Sequence, residues 1–100
     1  MKVVLLPEAL AEIDAAVAYY ERQRPGLGFD FFLELSDMIE LIAERPELGE
    51  AVPVSEPPAL RRFVLKRFPF VLWVESEGED CRLAAVAHAS RRPGYWRERL

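Results

Sequence analysis

The amino-acid sequence predicts an α+β domain of two layers, in which a strand, a two-helix hairpin and an antiparallel three-stranded meander follow one another as β-α-α-β-β-β. Two observations predict this fold. Apolar residues recur every three or four positions in the first half of the chain, which is the spacing of amphipathic helices. From position 61 the period changes to two, which is the spacing of strands. With 100 residues, 51% of them hydrophobic, the chain can bury one core, and we expect a single domain over residues 1–100.

The first half of the chain predicts one strand and two helices. Residues 2–6 are β-branched or apolar and form a short strand, which ends at the proline of position 7. That proline suits the first turn of a helix over residues 7–23. Residues 24–28 contain one proline and two glycines, which favour a turn, and a second helix follows over residues 29–44. Pro46 ends it, because the residue before a proline avoids helical geometry. The apolar stripes of these helices are Leu10, Ile13, Val17 and Tyr20, then Phe32, Leu35, Ile39 and Ile42.

The second half predicts three strands. Residues 47–58 hold three prolines and one glycine and are interpreted as a loop, in which 51–54 is a candidate edge strand. The short connections that follow predict an antiparallel meander, with the helical hairpin on one face. A short C-terminal turn or helix contains Tyr95 and Trp96. The predicted strands are residues 61–66, 70–74 and 82–87.

The charge of the chain is divided between its two parts. Residues 1–58 carry four basic and twelve acidic side chains, whereas residues 59–100 carry nine basic and five acidic ones. The acids of the first part are expected on solvated helix faces, with Glu8, Glu12 and Asp14 near the positive end of the first helix. An anionic partner should therefore be attracted to the C-terminal part, although scattered charge explains the pattern equally well. A pI near 5.0 argues against tight, salt-driven binding of naked nucleic acid.

Several classes of function are disfavoured by what the sequence lacks. Cys81 is the single cysteine, so neither an intramolecular disulfide nor a cysteine-based metal site is expected. We predict no metal and no cofactor, because the sequence has no glycine-rich loop after a strand and no Cys/His cluster. The apolar start at residues 3–6 is too short for a signal peptide or a membrane span. We therefore expect a cytoplasmic protein that does not associate with membranes.

Six short segments match a known family in their order and spacing. They are Tyr19-Tyr20-Glu21, Arg24-Pro25-Gly26-Leu27-Gly28, Pro46-Glu47-Leu48-Gly49, Leu60-Arg61-Arg62-Phe63, Arg67-Phe68-Pro69-Phe70-Val71 and His88-Ala89-Ser90-Arg91-Arg92-Pro93-Gly94-Tyr95-Trp96. Each segment is weak evidence alone, but the ordered set resembles the RelE/ParE family of toxins from type II toxin–antitoxin modules, in particular its plasmid stabilization branch. The resemblance implies a small toxin that binds a cognate antitoxin in a hetero-oligomer and arrests growth when free.

The resemblance leaves the target of the toxin open. RelE-like toxins cut messenger RNA in the ribosomal A site, whereas ParE-like toxins inhibit DNA gyrase without known bond-breaking of their own. Metal-free RNA cleavage needs charge stabilisation and proton transfer, for which the candidates are Arg91, Tyr95 and His88. RelE-like nucleases carry an arginine about where Val71 stands, and this chain is acidic overall. We therefore favour gyrase-type action over the nuclease, with a non-toxic binding module as a third interpretation.

The antitoxin is the expected partner, through a flexible tail that folds on the toxin. Apolar side chains of that tail should provide most of the affinity, while arginines of the toxin pair with its acids. The predicted partner-binding residues are Arg61, Arg62, Arg67, Arg91, Arg92 and Trp96.

Structural roles compete with these functional ones. His88 is interpreted first as a hydrogen-bonded residue at a strand end. Tyr95 and Trp96 follow a Pro-Gly pair, which favours their folding back to cap the sheet. Arg61 and Arg62 are neighbours on a strand, so only one of them can face a given partner.

Overall fold

The computed structural model describes residues 2–52 and 59–100. Its elements follow the predicted order, and the α+β prediction is confirmed. They are β1 (Lys2–Leu5), α1 (Pro7–Gln23), α2 (Leu27–Glu44), a 3₁₀ turn (Pro46–Leu48), β2 (Glu50–Ala51), β3 (Leu60–Val64), β4 (Phe70–Glu77), β5 (Asp80–His88) and a last 3₁₀ turn (Arg97–Arg99).

The strands form one sheet in the order β1-β5-β4-β3-β2. Its centre is the predicted meander, because β3, β4 and β5 pair antiparallel in sequence. The sheet is wider than this meander, since β1 pairs parallel with β5 and the two-residue β2 pairs antiparallel with β3. Ala51 is part of β2, as the candidate edge strand predicts, but Val52 lies beyond the end of β2. Pro53 and Val54 lie outside the described residues.

The second helix of the hairpin begins at Leu27, two residues earlier than predicted. The carboxylate of Glu21 on α1 accepts hydrogen bonds from the backbone N–H groups of Gly26, at 2.9 Å, and Gly28, at 3.0 Å. These N–H groups at the start of α2 have no partner within the helix, so Glu21 satisfies them. A Cβ atom at Gly28 would lie 2.6 Å from the carbonyl oxygen of Val17, so glycine lets the two helices cross closely here.

The two helices pack on one face of the sheet, called here the helix-covered face. Its centre is an aromatic cluster in which the ring of Phe31 lies 5.4 Å from Tyr20, 5.2 Å from Phe68 and 5.1 Å from Phe70, measured between ring centroids. Phe31 is fully buried. The sheet completes this core with Leu72, Val74, Cys81, Leu83 and Val86.

The C-terminal residues cover part of the opposite face, called here the C-terminal face. A register shift next to Trp73 pairs that residue with Ala85 and the following Val74 with Leu83. Ala84 and Ala85 are consequently both buried in the small core of this face, where they pack with Trp96. The indole of Trp96 lies 4.9 Å from that of Trp73 and is 1% exposed. Two consecutive small side chains thus leave the room that a large ring fills.

Neither helix of the described part of the chain is long and apolar enough to cross a lipid bilayer.

Candidate functional site

A pocket of about 200 Å³ lies where β5 ends and the chain turns back over the C-terminal face. It combines three cationic side chains with a histidine and two aromatic rings. These six residues, called here the basic pocket, are Arg62, Trp73, His88, Arg91, Arg92 and Tyr95. Guanidinium groups arranged in this way bind carboxylates and phosphates, because their donors match two oxygens at once.

His88 shapes the turn that brings the arginines to the pocket. Its Nδ1 accepts the backbone N–H of Ser90 at 3.0 Å and lies 2.7 Å from the Ser90 hydroxyl. Its backbone carbonyl accepts the N–H of Arg91 at 2.9 Å. An Nδ1 that accepts a hydrogen bond carries no proton, so the neutral ring is protonated at Nε2. The predicted hydrogen-bonded strand-end histidine agrees with this geometry, although the side chain is exposed.

A carboxylate from α1 anchors the last ten residues. Glu12 accepts two hydrogen bonds from the Arg99 guanidinium, at 2.9 Å and 3.0 Å, and one from the Tyr95 hydroxyl. It also accepts the backbone N–H of Val86 at 3.0 Å. Arg99 donates further to the carbonyl of Ala84 at 3.0 Å. Glu12, Tyr95 and Arg99 are called here the Glu12 cluster, and they bind the C-terminal segment to both α1 and β5.

The Glu12 cluster determines the chemical state of Tyr95. Burial, followed by the hydrogen bond to Glu12 and its negative charge, raises the pKa of Tyr95 to about 12, although Arg91 and Arg99 oppose that rise. The hydroxyl therefore stays protonated near neutral pH and donates its proton to Glu12. On the Tyr95 ring, the guanidinium carbon of Arg91 lies 4.0 Å from the ring centroid. This cation–π contact holds Arg91 at the pocket.

The structure brings together five of the residues that the sequence singles out: Arg62, His88, Arg91, Arg92 and Tyr95. Arg62 also contacts Glu50 at 3.1 Å, but the two side chains are 41% and 66% exposed, so this ion pair is weak. Arg92 is exposed and has no side-chain hydrogen bond or ion pair with the described residues. Both arginines are thus available to a partner.

Three of the predicted partner-binding residues lie away from the basic pocket. Arg61 points to the helix-covered side and donates to the carbonyl of Gly49 at 2.7 Å, consistent with the opposite directions of strand neighbours. Arg67 lies in the turn after β3, 3.7 Å from Asp30. Trp96 is buried, so the prediction that it contacts a partner needs correction. Its indole instead caps the sheet, as the alternative interpretation predicts.

Sequence reasoning missed Glu12 and Arg99 as parts of the site. Glu12 was expected on a solvated face, but it is adjacent to Ile13 and lies three residues from Ala9 and four from Ala16, all of which are buried. This spacing places the carboxylate beside the buried stripe, where it needs a cation. The spacing of the buried residues therefore indicates that Glu12 needs a cation, but it does not indicate that Arg99 is that cation.

Within residues 2–52 and 59–100, no group of three or more histidine, cysteine or acidic side chains is placed to hold a metal ion.

A two-helix layer on an antiparallel meander, with arginines and aromatic rings at its C-terminal end, is the arrangement that the resemblance to RelE/ParE toxins implies. Residues 3–93 match the family model described as ParE toxin of type II toxin-antitoxin system, parDE, so the chain belongs to that family. No curated protein matches the sequence.

Among solved structures, a chain of the chromosomal ParDE TA system from P. aeruginosa is similar to this one, with a TM-score of 0.74 and 20% sequence identity. The match covers 88% of this chain and 95% of that chain. At 20% sequence identity, this similarity shows a shared fold and nothing more. The fold and the family match together confirm the predicted membership of the RelE/ParE toxins.

Proposed function

We propose that this chain is the growth-inhibiting toxin of its module, held inactive by a cognate antitoxin, and that it acts by binding a macromolecular target such as DNA gyrase. Family membership supports the role of toxin. The choice of a binding mechanism over a catalytic one rests on Tyr95, whose protonated hydroxyl donates a hydrogen bond to Glu12. A toxin of this kind acts in the cytoplasm, where reducing conditions suit a chain with a single, buried cysteine, Cys81.

The basic pocket is better suited to binding than to cleaving RNA. A general acid or base is most effective when its pKa lies near the working pH, and the pKa of Tyr95 is raised to about 12. Val71 lines the same pocket and is uncharged, at the position where RelE-like nucleases resemble this chain but carry an arginine. The pocket can therefore bind an anion through its arginines, but at Val71 it lacks the further arginine that would bind a phosphate.

An inhibition assay tests the proposal directly. The purified protein is added to gyrase and relaxed plasmid, and to a translating extract whose messages are mapped for new ends. We expect loss of supercoiling with intact messages. Arg92→Ala should weaken inhibition at least ~10-fold, as expected for a hot-spot arginine at an interface, since its exposed guanidinium makes no hydrogen bond or ion pair with the described residues. Arg24→Ala, an exposed arginine in the turn between the helices, is the matched control and should inhibit normally.

The second candidate is a ribosome-dependent endoribonuclease, and one observation favours it: His88, Arg91 and Tyr95 line one pocket. It predicts codon-phased cleavage that is lost in Arg91→Ala and in Tyr95→Phe. Cleaved messages together with normal supercoiling would replace the gyrase proposal with this one. If expression without the antitoxin causes no growth arrest, a non-toxic binding module is the better description.

A further inference from the structure

We propose that a cleft between α1 and the end of β5 binds an extended acidic segment of the target protein; this inference rests on the proposed function and names the chemistry of the target. The cleft, called here the α1 cleft, has a volume of about 370 Å³. Tyr19 and Arg22 line it from α1, and Val86, His88 and Arg91 line it from β5 and the turn that follows. Arg22 is not among the predicted partner-binding residues, and it adds a cation from the acidic half of the chain.

The α1 cleft has an apolar floor below a polar rim. Ala16, Phe70 and Val86 form the floor and are 7%, 9% and 2% exposed. On the rim, the ring of Tyr19 is 51% exposed and meets Tyr20 edge to face, at 5.3 Å between ring centroids. An apolar side chain of a partner can therefore pack against the floor and the Tyr19 ring, while polar groups of the same partner stay at the rim.

The charge that lines the α1 cleft is positive. Its acidic side chain, Glu12, already accepts two hydrogen bonds from Arg99. Arg22 and Arg91 are exposed, and neither guanidinium has an ion pair with the residues that the structure describes. His88 adds a hydrogen-bond donor, because its neutral ring carries a proton on Nε2. Donors of this kind bind carboxylates, and a guanidinium can contact both oxygens at once.

A wall shared with the basic pocket makes the two cavities one site. His88, Arg91 and Tyr95 line both of them. Beyond this wall the basic pocket supplies Arg62 and Arg92. A partner that fills both cavities therefore meets arginines on each side of the wall and an apolar floor on the α1 side. An extended peptide with acidic residues around an apolar one is complementary to that pattern, and its charges would fix its register.

A peptide fits this path better than a nucleic-acid strand. α1 carries four acidic side chains, and Arg22 is its one basic side chain. Every nucleotide of a strand carries a negative charge, so a strand along the cleft would bring phosphates close to those acids. A peptide places its acids only opposite the arginines. The acidic pI of the chain, about 5.0, favours the peptide for the same reason.

Histidine NMR reports directly on the shared wall. His88 is the only histidine of the chain, so labelling histidine with ¹⁵N gives the ring signals of that residue alone. The probe is a capped peptide in which a phenylalanine lies between glutamates, and its control carries glutamines in place of the glutamates. At constant pH, we expect the ring signals to shift saturably with the acidic peptide and to stay unchanged with the control. Equal shifts with both peptides, or none with either, would overturn the proposal.

Two further NMR results would each identify a different occupant. A shift with a short oligouridylate but none with the acidic peptide would assign the cleft to nucleic acid and favour the endoribonuclease. A shift that grows with the concentration of the chain alone would mean that a second copy fills the cleft. Either result would overturn the proposal.

Two variants of the α1 cleft, Arg22→Ala and Tyr19→Ala, test its part in binding. Each should weaken binding of the acidic peptide and inhibition of gyrase at least ~10-fold, the effect of losing an interface hot spot. Arg24→Ala removes an exposed arginine that does not line the cleft, and should behave like the unmodified chain. Leu10→Ala is the control for Tyr19→Ala, because it removes a side chain 47% exposed on the same helix.

These measurements separate the inference from the proposed function. Normal peptide binding and normal inhibition in both cleft variants overturn the α1 cleft alone. If the unmodified chain does not inhibit gyrase, the proposed function is overturned, whereas peptide binding that depends on Arg22 still supports the cleft.

Discussion

The two faces of the sheet are held by different kinds of interaction. The helix-covered face is an apolar core, in which Phe31 contacts three other aromatic rings and is fully buried. The C-terminal face has a small apolar core around Trp96, and polar contacts of the Glu12 cluster bind its covering segment. Tyr95 and Arg99 reach Glu12 across 83 and 87 positions of the chain. The first face thus determines the fold, and the second positions the candidate site.

The largest effect is expected from Phe31→Ala, which tests whether the helix-covered face dominates stability. Removing a fully buried phenylalanine from a packed core costs about 3–5 kcal/mol in the free energy of unfolding. Urea unfolding monitored by circular dichroism measures this cost. Phe29→Ala, two residues away and 61% exposed, is the matched control. Its effect should stay within about 0.5 kcal/mol. A loss below about 1 kcal/mol for Phe31→Ala would contradict the comparison, because it would lie closer to the range of about 0.5 kcal/mol for surface positions than to the cost of emptying a packed core.

The next largest effect is expected from Glu12→Ala, which removes the anchor of the C-terminal face. Tyr95 and the Val86 N–H would lose the Glu12 carboxylate as their acceptor, and Arg99 would keep only the carbonyl of Ala84. Unsatisfied, partly buried donors and a broken ion pair cost about 2–3 kcal/mol here. Hydrogen exchange at the Val86 amide should also accelerate.

Asp14→Ala is the control for that variant, since Asp14 is an exposed acid on the same helix. Equal unfolding free energies for the Glu12 and Asp14 variants would show that the C-terminal segment is held by Trp96 alone.

Local signals in the sequence were enough to predict most of the helix-covered face. The stripes of α1 and α2, and the helix-ending Pro46, act within a few residues of the positions they determine. The start of α2 was predicted two residues late because its cap is the side chain of Glu21, which belongs to the other helix. A cap from a separate element leaves no mark in a helical period.

The C-terminal face was predictable only in part, for a physical reason. The resemblance identified Arg62, His88, Arg91, Arg92 and Tyr95, which do meet at one pocket. Trp96 is among the predicted partner-binding residues, but in the structure it is buried against Trp73. Its burial depends on the register shift that places Ala84 and Ala85 on one face. That shift is a property of strand pairing, and no single strand encodes it.

Tyr95→Phe should have a smaller effect, which depends on pH. At neutral pH the loss of one hydrogen bond to a carboxylate costs about 1–2 kcal/mol. The pKa of Tyr95 in the folded chain is raised to about 12. In the unfolded chain it is about 10. The unfolded state therefore releases its proton first, and the contribution of Tyr95 to stability is complete below pH 10 and is lost as the pH rises toward 12.

Unfolding free energies of both proteins from pH 8 to 11 check this dependence. The difference between them should shrink above about pH 10. A difference that stays constant across this range would mean that the Tyr95 hydroxyl is not held by Glu12.

The smallest effect on stability is expected from Arg92→Ala, and it is the sharpest test of the division between the two faces. Arg92 is exposed and has no side-chain hydrogen bond or ion pair with the described residues, so unfolding should change by less than about 0.5 kcal/mol. Arg61→Ala is the comparison variant with the opposite expectation, because the guanidinium of Arg61 donates a hydrogen bond to the Gly49 carbonyl at 2.7 Å. Its loss should cost about 1 kcal/mol in stability and leave gyrase inhibition intact. If Arg61→Ala abolished inhibition and Arg92→Ala did not, the surface that binds the target would lie on the helix-covered side.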